Sequence, residues 1–426
     1  MPCRVAVLGG GAAGVVTADT LARRGAEVDL FERNSILGGL HRSVEVDGDV
    51  FDIGAFFFTR DHALIQAFPA AQPLLVEVDH HAVSITPSGS LDGYPCTPRG
   101  YMRDHGPWRS ALAFGDLLLS RARYRHPDTV PAYSMHSLGR AVYRNAGLKE
   151  YLERFYGAPD SDIDLDVVRP RLSVLVHYAR LGRLVRLGLR PKHRRLQPHF
   201  ARPRAGFPSF YDVMAESLGT LGVNVRRGVT LTSMRRAADR FELEWEGGSA
   251  VYDHVVSTIP PPLALRLMHE DPGPDAPHIS LLSLFYRGRL RIPGNVIYNF
   301  THDGRWKRFT VFSRLYGPSG DGDYMTVEVT GVGAMTPRVD ELAADFERHA
   351  ASLSIFEGVP RRVGHTVTER AYPAALRGQR APIDAQRARL AAHGVMLVGR
   401  QGNNSYISSH DVALAARELA SGIPLR

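Results

Sequence analysis

Residues 4–8 (RVAVL) form a short, almost uninterrupted apolar run, the pattern of a strand buried on both faces. A glycine-rich turn follows. Residues 15–24 (VVTADTLARR) then carry apolar positions at helical spacing, with Val15, Ala18 and Leu21 on one face and Gly25 beyond the end. Residues 27–32 (EVDLFE) predict a second strand. In the middle of the chain, 222–229, 241–245 and 251–259 read as strands and turns in series. Near the C-terminus, 394–398 (GVMLV) predict another buried strand, and 399–406 (GRQGNNSY) a polar, glycine-containing loop. Ser408, Ser409 and Asp411, good N-cap residues, then open a helix over 412–420. Residues 73–200 and 270–380 show less of this alternating strand and helix character and are expected to hold a substrate-binding part.

The turn between the first strand and the first helix is Gly9-Gly10-Gly11-Ala12-Ala13-Gly14, a G-x-G-x-x-G match. An acid, Glu32, closes the second strand 18 residues after Gly14. The motif alone is weak. Set between a strand and a helix, with an acid at the end of the next strand, it predicts a dinucleotide site. Gly9 permits the tight turn, Gly11 lets the backbone approach a pyrophosphate, and Gly14 allows close helix–strand packing. The pyrophosphate meets the helix N-terminus at Ala12, Ala13 and Gly14, and Glu32 can accept both ribose hydroxyls. Ser409, His410 and Asp411 mark a second helix start, where a positive helix end suits the electron-rich edge of a bound ring and the anion that forms there on reduction.

The residues after Glu32 carry a resemblance. Arg33, then Gly38-Gly39-Leu40, then Arg42 resemble the continuation found in the amine oxidase, protoporphyrinogen oxidase and UDP-galactopyranose mutase superfamily of flavoproteins. The resemblance implies FAD rather than NAD, with Gly38 and Gly39 passing close to the pyrophosphate and ribityl chain. It implies an α/β fold: a Rossmann-type, glutathione-reductase-like FAD-binding domain from residues 1–72, 201–265 and 385–426, and an interleaved α+β substrate domain from 73–200 and 266–384. Residues 51–58 (FDIGAFFF) resemble the segment beside the isoalloxazine ring, which places Gly54, Ala55 and Phe56 there. Phe56 stands where a histidine is common. Residues 201–211 resemble the start of a second FAD-binding stretch, and Val229 is expected to contact the adenine side through its backbone. Gly399, Arg400, His410, Asp411 and Val412 resemble the segment that closes the FAD site. Arg308 and Arg400 match anion-binding arginines of the mutases, while the third such position falls on Val174, with Arg169 and Arg171 nearby. Tyr298, Tyr372, Tyr406 and Arg171 complete the expected substrate set, and Phe56 and Arg400 line the reaction centre. No residue stands out as a catalytic base.

Composition narrows the reading. The apolar fraction is 44%, charged residues are 23% and aromatics 9% over 426 residues, values of a globular chain of more than one domain. Two cysteines, Cys3 and Cys96, exclude a disulfide scaffold and a cysteine-based metal cage, and no metal site is expected. No apolar run is long enough to span a bilayer and no leader pattern opens the chain, so a cytoplasmic location is expected. The net charge of +8 comes largely from arginine. Without a nucleic-acid-binding motif it points to an anionic small molecule, not to DNA or RNA. Residues 180–195 are basic and amphipathic, which fits a solvated helix face, the flank of an anionic cleft, or weak contact with a membrane surface. Three functions compete: hydride abstraction by non-covalently held FAD from a small, polar, anionic metabolite such as a nucleotide sugar; a non-redox pyranose/furanose mutase using reduced FAD; and a flavin-binding protein without its own catalysis. The oligomeric state is open.

Overall fold

The computed structural model describes residues 2–169, 172–173, 198–274, 276–320 and 322–425. Arg171, Val174 and the basic stretch 180–195 lie outside the described residues.

Five strands form a fully parallel sheet in the order Asn224–Arg227, Glu27–Glu32, Arg4–Leu8, His254–Ser257, Met396–Leu397. The apolar run of the first strand is explained by cover on both faces. Val5 and Val7 pack toward the helices Ala12–Arg23, Phe207–Thr220 and Ser409–Gly422. Ala6 and Leu8 pack toward the antiparallel meander Leu231–Ala237, Arg240–Trp245, Gly248–Tyr252. Because the strands are parallel, their carboxyl ends meet at one edge, which in open α/β sheets is where ligands bind. Gly9, Glu32, Gly228, Thr258 and Gly399 all stand at or just beyond those ends.

A seven-stranded sheet forms the second layer, in the order Phe356–Pro373, His278–Leu290, Asp323–Val332, Trp306–Val311, Val296–Asn299, Ala82–Ile85, Leu91–Gly93. It is antiparallel except between Val296–Asn299 and Ala82–Ile85. One face packs on the helix Val339–Ser352 through Leu282, Leu284, Phe309 and Phe346. The other meets the helices Val130–Leu138, Arg140–Asn145 and Leu148–Tyr156 through Ile279, Leu281 and Tyr298. The hairpin Ser43–Val46/Asp49–Asp52 and the small sheet Phe58–Thr59, His199–Ala201, Val76–Val78 lie between the large layers in sequence. A buried ion pair ties these segments together: Arg202 Nε donates to Asp52 Oδ1 at 2.8 Å, and the Ser43 hydroxyl donates to the same oxygen at 2.6 Å. Burial raises the Asp52 pKa against the opposing pull of Arg202 and Ser43.

Three local expectations are corrected. The strand expected over 394–398 is only Met396–Leu397. Gly394, at φ +82°, and Val395 instead close the preceding helix Arg380–Ala392, their amides donating to Ala391 and Leu390. The loop expected over 399–406 opens as a single helical turn, Gly399–Gly402. The last helix starts earlier than 412, at Ser409, because Ser408 is its N-cap. Among the described residues no helix is long and apolar enough to cross a membrane, and no cluster of acids, histidines and cysteines could hold a metal.

Candidate cofactor and substrate site

The glycine motifs meet at the carboxyl edge of the parallel sheet. Gly11 is the N-cap of the helix Ala12–Arg23, and neither a side-chain cap nor an acid in the first turn engages its start. The amides of that turn are therefore the donors an anion would meet. Gly38 pairs with Gly11 in an isolated parallel bridge, and its amide donates to the Gly10 carbonyl at 2.9 Å. A Cβ on Gly11 would meet only the Gly39 Cα, at 3.8 Å. The same atom on Gly14 would collide with the Gly9 carbonyl, and on Gly9, held at φ +102°, with the Thr258 hydroxyl. The glycines thus have separate duties: Gly9 and Gly14 are required by packing, Gly39, at φ +60°, would press a Cβ to 3.3 Å from the Gly11 Cα, and Gly11 alone borders open space. That open cradle, at the uncapped end of a helix, fits the pyrophosphate of a dinucleotide. From the C-terminal side Gly399, at φ +89°, lies so close to Ala13 that a Cβ would overlap it.

Glu32 is buried and both its carboxylate oxygens are engaged: Oε2 accepts from the Gly10 amide at 2.8 Å, and Oε1 from the Asn34 amide at 2.9 Å and side chain at 2.7 Å, leaving Oε2 the freer acceptor for a ribose. The Val229 amide donates to the Glu32 carbonyl at 3.0 Å, so the two residues assigned to the adenosine end are neighbours. Arg33 and Arg42 lie near them. Burial, then Arg33, lowers the Arg42 pKa, with Glu32 opposing. Leu40 packs into the apolar cluster of the helical layer.

Phe56 packs edge-on against His41, with ring centroids 5.0 Å apart, and against Phe207 at 5.3 Å. His41 was not singled out from the sequence. It stacks on Phe207 at 5.0 Å and 17°, and its Nδ1 is hydrogen-bonded to the Tyr211 hydroxyl at 2.8 Å. Burial, then the charges of Arg400 and His62, lower its pKa to about 3, so the ring is neutral at physiological pH. His410 has its Nδ1 occupied by the Ala63 amide at 3.1 Å, and the neighbouring His62 is bonded to Ser409 at 3.0 Å. The His410 ring therefore fastens the last helix to the segment that begins at Ala63. Asp411 is bonded to Ser408, while Val412 is buried in the core beneath.

The expected substrate residues do gather. Arg308 grips Glu328 with two bonds, Nε to Oε1 at 2.6 Å and Nη2 to Oε2 at 3.0 Å. Lys307 Nζ reaches Glu328 Oε2 at 3.0 Å. Neighbouring strand residues normally point to opposite faces. Here a bulge intervenes, since Trp306 opposes Val329 and Arg308 opposes Glu328, leaving Lys307 as the extra residue. Glu328 also accepts from the Ala55 amide at 3.1 Å, and a Cβ on Gly54 would lie 3.6 Å from its carboxyl carbon. This buried acid ties the 54–56 segment to the large sheet. Sequence reasoning missed it because a lone glutamate in a strand gives no signal until its partners across the fold are known. Burial raises its pKa, but Arg308 and Lys307 outweigh burial and hold it at about 2.

Tyr298 lies under the Arg308 guanidinium at 5.9 Å. Tyr372 lies under Lys307 at 5.6 Å and Arg400 at 5.3 Å, and packs on Tyr406 at 5.3 Å. Arg400 donates through Nε and Nη2 to the Ile407 carbonyl at 3.1 and 2.6 Å. Tyr94 and Tyr151 extend the aromatic wall around Tyr298. The arrangement combines tyrosine faces with a buried trio of two cations and one anion, a net charge of +1, and with Arg400 close by.

Residues 7–69 match the NAD(P)-binding Rossmann-like domain. The chain is 43% identical over 122 residues to hydroxyneurosporene desaturase of Rubrivivax gelatinosus, and 35% identical over 80 residues to 1-hydroxycarotenoid 3,4-desaturase of Flavobacterium sp. (strain P99-3). Those stretches cover 27% and 18% of this chain and only 21% and 15% of the two relatives. Among solved structures, reduced UDP-galactopyranose mutase superposes with a TM-score of 0.77 at 17% identity, over 98% of this chain and 95% of that one. The chain therefore has a Rossmann-like NAD(P)-binding domain over residues 7–69 and shares its overall fold with UDP-galactopyranose mutase.

Proposed function

We propose that the protein is an FAD-dependent oxidoreductase that holds its cofactor without a covalent bond and removes a hydride from a small, polar, anionic substrate. The observation that carries the reading is the open side of Gly11 at an uncapped helix start, while Gly9 and Gly14 beside it are closed by packing. The amides of Ala12, Ala13 and Gly14 would hold the pyrophosphate, Glu32 the ribose, and the Val229 backbone the adenine. Gly38, Leu40, Arg42, Gly54, Ala55 and Phe56 would flank the rest of the cofactor, with Gly399, Arg400 and the start of the last helix closing it. When bound, FAD supplies the hydride acceptor. The chain's own work is to orient and to exclude water. Phe56, with His41 and Phe207 behind it, forms a dry aromatic wall. Lys307 and Arg308, partly neutralised by Glu328, leave one positive charge for an anionic group, and Tyr298, Tyr372 and Tyr406 pack the remainder of the substrate. The names of the two desaturase relatives favour removal of hydrogen from a carbon–carbon bond.

A second reading, a non-redox nucleotide-sugar mutase, is favoured by the superposition over 98% of the chain on a reduced mutase and opposed by Phe56 in place of histidine. The test is anaerobic mixing of purified protein with candidate anionic substrates, before and after dithionite. Loss of flavin absorbance on adding substrate to the oxidised protein supports the oxidoreductase. Turnover only after reduction assigns the mutase instead. Protein that releases no FAD on denaturation, or retains flavin after acid precipitation, overturns the cofactor assignment.

A further inference from the structure

The helix Pro98–Arg123 is broken at Gly106, whose φ of +78° interrupts it, and Pro107 opens the second segment. That segment buries Ala113, Leu117 and Ser120 against the fold. Its other side is apolar and open: Trp108 is 74% exposed and Leu119 72%, with Leu112, Phe114 and Leu118 each more than half exposed. Trp108, Leu112, Gly115 and Leu119 follow at helical spacing, so they form one stripe. Between Ser110 and Ser120 the single ionisable side chain is Asp116, and it is turned inward, accepting from the Ala141 amide at 2.8 Å. Basic residues stand at both ends: Arg109 directly after Trp108, with Arg103 before it paired to Asp104 at 2.9 Å, and Arg121, Arg123 and Arg125 after Leu119. Among the described residues, Arg109, Arg121, Arg123 and Arg125 make no ion pair. Beneath the helix lies a cavity of about 250 Å³ lined by Tyr101, Phe114, Leu117, Leu138 and Val142, with Arg121 also on its wall.

We propose that this face docks on the surface of an anionic lipid bilayer, with Trp108, Leu112, Leu118 and Leu119 in the headgroup–acyl boundary and the arginines on lipid phosphates. The proposal is independent of the flavin reading. A contiguous exposed apolar patch marks an interaction site, and an apolar helix face with tryptophan and flanking arginines matches the chemistry of a membrane interface. Charge decides the occupant. Both ends of the stripe are basic, so a second copy laid along it in either direction would set arginine against arginine. An anionic surface satisfies both ends at once. The cavity, apolar with one arginine on its wall, has the chemistry to receive an acyl chain.

The test is co-sedimentation of the full chain with vesicles of phosphatidylcholine, and with vesicles in which about a third of it is replaced by phosphatidylglycerol. The expected result is binding to the anionic vesicles, a blue shift of tryptophan emission that Trp108→Phe removes, and weakening by high salt. Leu112→Glu with Leu119→Glu should cut the bound fraction about tenfold. These side chains are exposed, so the circular dichroism should be unchanged. Arg121→Gln, Arg123→Gln and Arg125→Gln together should lower binding to anionic vesicles while leaving the weak binding to neutral ones. No binding to anionic vesicles, or equal binding by the Leu112/Leu119 variant, overturns the proposal. So does a dimer in solution that the same variant dissociates, which would assign the face to a second copy.

Discussion

At the scale of single residues, the glycines of the first turn separate folding from binding. A valine at Gly14 drives its Cβ into the Gly9 carbonyl, which is backbone and cannot move aside. The Cβ of a valine at Gly11 meets nothing closer than the Gly39 Cα at 3.8 Å. Gly11→Val is therefore expected to keep the far-UV circular dichroism of the parent and to lose flavin absorbance, whereas Gly14→Val should fail to fold. A yellow Gly11→Val protein would show that the motif is only a turn. Glu328 supports a second contrast. Removing its charge leaves Lys307 and Arg308 buried without their anion, so Glu328→Gln should cost about 3–5 kcal/mol in a denaturant titration at neutral pH. Its folded pKa, about 2, lies below the ordinary 4.5. The stabilisation is thus present in full above pH 4.5 and is lost as the pH falls through 2, roughly 3 kcal/mol in all. The gap between parent and Glu328→Gln should close over that window and nowhere else. Gly9, Gly11 and Gly14 were legible in the sequence because they stand at fixed spacing within one short turn. Glu328 and His41 were not, since each acts through partners hundreds or tens of positions away.

At the scale of elements, the first and second strands stand where the hydrophobic periodicity puts them, whereas the first helix, expected over 15–24, begins three residues earlier, at Ala12, directly after its N-cap Gly11. These elements are covered on every face, so pattern and burial coincide. The same reasoning overextends at 394–398, where an apolar run reads as a strand although its first two residues complete the turn out of Arg380–Ala392. Periodicity also gave no hint of the bulge at Lys307, which is set by pairing with Asp323–Val332. Capping chemistry was more informative than periodicity at the last helix. Ser408 accepts from the Asp411 amide at 3.2 Å and bonds the Asp411 carboxylate at 2.6 Å. Ser408→Ala should destabilise the protein by about 1 kcal/mol. Because that helix packs on Ala12–Arg23 and carries His410 against the Ala63 amide, the variant should also release FAD more readily. Titration of apo-protein with FAD, compared for the two proteins, measures the second effect. Equal affinity would separate the helix start from the cofactor site.

At the scale of the whole molecule, residues from three separated parts of the sequence converge on one layer: 41–62 from the first third, 199–211 from the middle, and 399–412 from the end. An interleaved chain was the expectation from the resemblance, because the early glycine pairs and the late glycine–arginine segment both resemble parts of one family's FAD site. What the sequence left hidden is that the buried histidines around this junction are kept neutral. His41, His62 and His80 all have burial as the largest cause of a lowered pKa, to about 3, 4 and 4, respectively. Further lowering comes from Arg400 and His62 at His41, from His410 at His62, and from His199 and Arg308 at His80, while Asp61 and Asp411 at His62, and Asn295 and Asp79 at His80, oppose it. A histidine that stays neutral when folded but titrates near 6.5 when unfolded lets the unfolded chain bind more protons between those values. Stability is then complete above pH 6.5 and falls as the pH drops toward 4, by up to about 1.4 kcal/mol per pH unit for each ring, or roughly 4 for the three together. The denaturant midpoint of the protein should therefore decline steeply between pH 6 and pH 4, overlapping the Glu328 window only below pH 4.5. His41→Gln keeps a polar partner for Tyr211 but removes one titrating ring. It should lower stability at pH 7, where stacking on Phe207 is lost, and flatten the acid slope by about a third. A slope that His41→Gln leaves unchanged would mean that the ring is already charged in the fold, and its neutral state would have to be abandoned.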